Sequence, residues 1–149
     1  MKRLLLIGVM SLSIGMTVQG AKAPGEFVGA WRMVLLEQQD ADGKVHKVDC
    51  SGSFVFTRDG HFSVQVMRRD PEPQSHAGSD RYSQGGYEAT FGRYEVDARA
   101  HTFTIHVEGA LVRTLIGKDL PRLYEFSGKQ LTVKSAHPDE HWKVVWERY

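Results

Sequence analysis

Short runs of apolar and β-branched residues recur along most of this chain, broken by turn residues at intervals of about eight to twelve. Runs of strand length occupy 31–39, 45–48, 53–57, 62–67, 87–96, 102–108, 123–126, 131–134 and 142–148. The breaks carry turn chemistry: Asp40-Ala41-Asp42-Gly43, Arg58-Asp59-Gly60-His61, the stretch 97–101, and Ser127-Gly128-Lys129. Asp59-Gly60 supplies the positive φ angles of a tight hairpin. Eight or nine such strands in meander order, joined by short turns, predict an all-β sandwich or barrel. The only helical content expected is one turn within 111–118.

Period-two alternation sorts each run into two faces. On the last run Trp142, Val144, Trp146 and Arg148 share a face, which is expected inward. On the first, Trp31, Met33 and Leu35 are expected inward, with Arg32, Val34 and Leu36 outward. The run 87–96 has no plainly apolar face, and Gly92 within it marks a bulge or bend. Around the Asp59-Gly60 turn the register leaves open which of Phe54, Val55, Phe56, Phe62 and Val64 face in, and their number suggests a cavity wall as well as a core.

The signatures at the two ends of the barrel region point to closure. Gly29 precedes Trp31 on the first strand, and Arg148 stands near the end of the last. Gly29 allows a close backbone approach, Trp31 is expected to plug one end, and Arg148 to lay its guanidinium over the indole. This is a structural lock and carries no catalytic role. The lead-in Gly25-Glu26-Phe27-Val28 is expected to plug one end of the barrel.

Two segments depart from the rhythm. Met1-Lys2-Arg3 followed by the uncharged apolar run 4–18 has the layout of a secretory signal peptide. The run is shorter than the ~20 residues needed to span a bilayer. Cleavage after Val18-Gln19-Gly20 leaves one domain, residues 21–149, that is secreted or periplasmic, with no stable membrane span. Residues 70–86, rich in glycine and polar side chains with two prolines, read equally as a lid across the barrel mouth or as a disordered connection.

Charge narrows the partners. The 19 Lys and Arg nearly balance 18 Asp and Glu, and losing Lys2 and Arg3 brings the net charge to −1. No basic stripe of the kind a nucleic acid requires is present. Cys50 is the single cysteine, so no internal disulfide is expected, and it reads as a small, half-buried residue at a strand start. His137 and His141 stand four apart with Pro138 and Asp139 between them, which argues for a loop. With no HExxH, cysteine pair or phosphate-cradling glycine loop, neither metal nor cofactor is expected.

On the run 102–108, Thr104, His106 and Glu108 form a polar face opposite Phe103, Ile105 and Val107. That polar face reads either as a solvated outer surface or as the polar lining of a cavity. Arg122 and Tyr124 share a face with Phe126 and pose the same question; an inward Arg122 needs a carboxylate, for which Glu108 is the candidate.

Six segments, in order, resemble the lipocalin-like domain family of bacterial and fungal proteins. They are Val28-Gly29-Ala30-Trp31-Arg32, Phe56-Thr57-Arg58-Asp59-Gly60, Phe91-Gly92-Arg93-Tyr94-Glu95-Val96-Asp97, His106-Val107-Glu108-Gly109, Arg122-Leu123-Tyr124-Glu125-Phe126-Ser127-Gly128 and Val145-Trp146-Glu147-Arg148. The resemblance implies an all-β, up-and-down antiparallel barrel of eight to ten strands with an internal cavity, and a role in binding small apolar molecules. The leading expectation is therefore an exported protein holding a hydrophobic or amphipathic ligand, with His106, Glu108, Arg122, Tyr124, Phe54, Phe56, Phe62 and Phe91 as binding residues. A second is a cavity enzyme of isomerase, cyclase or hydrolase type, with His106 as general acid or base, Glu108 orienting it, and Arg122 or Tyr124 steadying an oxyanion. A third is a protein-interaction module. The sequence leaves the oligomeric state open.

Overall fold

The computed structural model describes residues 25–69 and 86–149. The signal-peptide reading and most of the 70–86 loop reading lie outside these residues. The strands are β1 (Gly29–Gln39), β2 (Val45–Lys47), β3 (Cys50–Phe56), β4 (His61–Arg68), β5 (Tyr87–Asp97), β6 (Thr102–Ala110), β7 (Asp119–Ser127), β8 (Gln130–Ser135) and β9 (Trp142–Arg148). A single 3₁₀ turn, Arg113–Leu115, interrupts the β6–β7 connection. Each strand from β3 onward pairs antiparallel with the next, and β1 pairs β3 on one side and β9 on the other. Eight strands thus close into a barrel without a free edge, and β2 is a short addition along the end of β1.

Two irregularities set which side chains face inward. Met33 opposes Trp146 and Leu35 opposes Val145, so β1 carries a bulge at Val34. The bulge reverses the expected alternation beyond it: Leu36 and Gln38, not Leu35, reach the interior. On β5 and β6, Phe91 opposes Gly109 while Gly92 opposes Val107, leaving Glu108 without an opposite number. Here the expected bulge is present. A Cβ on Gly92 would stand 2.1 Å from the His106 carbonyl oxygen, so only glycine allows the strands to come this close. The inward face of β5 is Thr90, Gly92, Tyr94 and Val96, which the composition of that strand did not reveal.

One end of the barrel is filled with aromatic rings. Phe27, fully buried, stands edge-on to Phe56, Phe103, Tyr124 and Phe126 at centroid distances of 4.7–5.3 Å. Its carbonyl accepts the Trp31 indole N–H at 2.9 Å. Tyr94 closes the same layer over Phe56, and its hydroxyl donates to the Thr57 carbonyl at 2.9 Å. Burial, with a smaller contribution from Asp59, pushes the Tyr94 phenol up to about 12.

Arg148 fastens the lead-in to this plug. Its guanidinium lies 4.4 Å from the Trp31 ring, donates to the Val28 carbonyl at 2.8 Å, and donates also to the Glu26 carbonyl. Gly29, at φ +138°, leaves the passage: a Cβ there would stand 2.7 Å from the Arg148 Nη1. Replacing Arg148 by methionine keeps the stem but removes the charge-assisted hydrogen bonds and the cation–π contact, so a loss of about 2–3 kcal/mol is expected. Urea unfolding checks this as a lowered midpoint with an unchanged slope.

Candidate ligand cavity

Beyond the plug, the same inward positions stop meeting across the axis. β3 supplies Phe54, β4 Val64 and Val66, β6 Ile105, β8 Val133, and β9 Trp142, Val144 and Trp146. They enclose a cavity of about 230 Å³. Branched and aromatic side chains that favour the pleated strand also make its wall apolar. Its polar groups are Gln38, Glu88 and Arg122. A broader depression, about 580 Å³, lies between the β8–β9 connection and the ends of β1 and β2, with Glu37, Lys134, His137 and Lys143 on its walls. Its charged rim and the 2.5 Å ion pair between Lys143 and Glu37 make it an outer, solvated groove.

Arg122 is the cation of the cavity. Alternation along β7 turns it inward with Tyr124 and Phe126, and its side chain is only 15% exposed. The guanidinium lies 5.0 Å from the Trp142 ring and donates to the Pro121 carbonyl at 3.0 Å. Burial lowers its pKa from the ordinary arginine value, while the Glu140 and Glu88 carboxylates pull the other way. Among the described residues, its nearest carboxylate oxygen is Glu140 Oε2, at 4.0 Å. That oxygen already accepts the Ser135 hydroxyl at 2.6 Å and the Trp142 indole N–H at 3.2 Å. The Ser135 bond, above all, holds the Glu140 carboxyl below the usual range.

The expected site residues divide between inside and outside. Phe54 lines the cavity and Arg122 reaches it; Phe56, Phe62 and Tyr124 belong to the core and plug beside it. His106, Glu108 and Phe91 face out, which corrects the reading that placed them in the cavity. The apolar face of β6 takes the interior and leaves the polar face outside. His106 Nδ1 stands 2.7 Å from Asp119, with Glu95 at 4.0 Å from its Nε2. Glu108 bonds Arg93 at 2.9 Å, so the expected Glu108–Arg122 pair does not form. Phe91 is 56% exposed and covers Gly109, where a Cβ would stand 2.3 Å from its ring. Trp142 and Trp146 were legible in the alternation of the last strand as inward residues. Glu140 was not, because it lies in a turn with no periodicity.

A closed antiparallel barrel, plugged at one end and hollow beyond the plug, defines a class of small up-and-down β-barrels with an internal cavity. The profile of the lipocalin-like domain matches residues 28–149, and the chain belongs to that family. Among solved structures it is similar to a lipocalin-like protein from Bacteroides uniformis, with 20% identity and a TM-score of 0.49 over 84% of this chain and 100% of that one. It is similar also to a protein from Bacteroides eggerthii, at 17% identity and a TM-score of 0.47 over 83% and 99%. A point mutant of the fluorescent protein UnaG aligns at 12% identity and a TM-score of 0.41 over 83% and 96%. No curated protein matches the sequence.

Proposed function

We propose that this protein is an exported carrier that holds one small hydrophobic or amphipathic molecule inside its barrel. The observation that carries the reading is the apolar cavity of about 230 Å³, walled by Phe54, Ile105, Val144, Trp142 and Trp146. A well-packed interior leaves few voids larger than a water molecule, so an apolar hollow of this size favours an occupant. The volume lies below the ~300–1,000 Å³ of drug-sized pockets, which favours a compact ligand. No histidine lines the cavity among the described residues, and this favours binding over acid–base chemistry there. The basic and apolar opening of the chain supports export, with a mature protein beginning at Ala21.

Native mass spectrometry of protein purified from its host tests the reading. A retained small molecule is expected, and it should be lost in Val64→Trp, which fills the cavity. Far-UV circular dichroism of the variant should stay barrel-like. Retention of the same molecule by the filled variant would overturn the cavity as its site.

A further inference from the structure

We propose that the cavity selects a small apolar anion, above all a monocarboxylate, whose head group docks on the Arg122 guanidinium. This rests on the cavity being the ligand site. Arginine has five N–H donors in a planar fork. Among the described residues Arg122 uses one Nη1 bond, to the carbonyl of its own neighbour Pro121. Glu140, at 4.0 Å, lies beyond hydrogen-bond distance, and Ser135 and Trp142 hold its oxygen where it is. Glu88 also acts on Arg122 through its charge. Both carboxylates are exposed, so water screens their attraction for a cation that is itself withdrawn from solvent.

The cavity therefore holds a desolvated cation with unused donors, an arrangement that is costly without a partner. A carboxylate matches the fork with two parallel charge-assisted bonds. A hydroxyl recovers a hydrogen bond without the charge, and an ammonium meets repulsion. Trp142, stacked on the guanidinium, continues into the apolar wall of Phe54, Ile105 and Trp146, so a ligand with its head on Arg122 has its tail against that wall. At ~30 Å³ per water-sized group, the space takes about eight such groups. That fits a carboxylate on a medium-length chain or a single aromatic ring.

The test uses octanoate, 1-octanol and octylammonium at pH 7, titrated into the purified protein and read by tryptophan fluorescence, since Trp142 and Trp146 line the site. Octanoate should bind at least tenfold tighter than octanol. Arg122→Gln should abolish that preference, weakening octanoate at least tenfold to the level of octanol. Glu140→Gln, which removes the competing charge, should tighten octanoate about threefold and leave octanol unchanged. Should Arg122→Gln fail to fold, the wild-type ratio and the Glu140→Gln shift decide. Equal binding of octanoate and octanol overturns the anion selectivity and leaves the carrier reading standing. Tightest binding of octylammonium does the same and assigns the head group to Glu88. If none of the three binds, the cavity reading fails and the selectivity with it.

Discussion

Phe27→Ala is expected to remove about 3–5 kcal/mol of stability, a large share of the ~5–15 kcal/mol that holds a domain folded. Phe27 belongs to no strand, yet it is fully buried and touches rings from β3, β6 and β7. A ring with neighbours on so many sides leaves a cavity its surroundings cannot fill, because each neighbour is fixed by its own place in the ladder. The loss also weakens an anchor. The Phe27 carbonyl accepts the Trp31 indole, and the carbonyls on either side of it, Glu26 and Val28, hold Arg148. Among the described residues, those bonds and the ring tie the lead-in to the plug. Urea unfolding followed by tryptophan fluorescence measures the change, and a loss under about 1 kcal/mol would mean that the lead-in is not what closes this end.

The closed end was legible because its residue types carry their own geometry. Gly29, Trp31 and Arg148 admit few arrangements other than a guanidinium laid over an indole through a gap left by a missing side chain. The cavity end was less so. On β1, Leu35 and Leu36 are chemically alike, so alternation could not show that a bulge at Val34 sends the second one inward. On β6 the alternation itself favoured Phe103, Ile105 and Val107 as the interior face, and the structure agrees. It was the recurrence of His106 and Glu108 in the family pattern that drew them toward the cavity. The carboxylate nearest Arg122 comes from Glu140, in a turn placed by the β8–β9 connection. No spacing rule links residue 140 to residue 122; the β7–β8 pairing sets Arg122 opposite Ser135, whose hydroxyl holds the Glu140 carboxylate.

Gly92→Ala is expected to cost about 3 kcal/mol, the upper part of the usual range for overpacking. Its cause differs from that of Phe27→Ala. The new Cβ would meet the His106 carbonyl oxygen at 2.1 Å and the Glu108 amide nitrogen at 2.9 Å, and both are backbone atoms. No side chain can swing aside, so β5 and β6 must separate where the bulge now lets them touch. That point lies between the two faces of β6. On its outer face, separation moves His106 against Asp119; on its inner face, it moves Ile105, part of the cavity wall. Amide hydrogen exchange should therefore accelerate along 90–97 and 102–109 more than in β8 and β9, and affinity for any cavity ligand should fall with it. If exchange rises uniformly instead, the bulge is not a local joint, and the barrel responds to the clash as one cooperative unit. If stability falls by less than about 1 kcal/mol, the close approach of the two strands is not what requires glycine at this position.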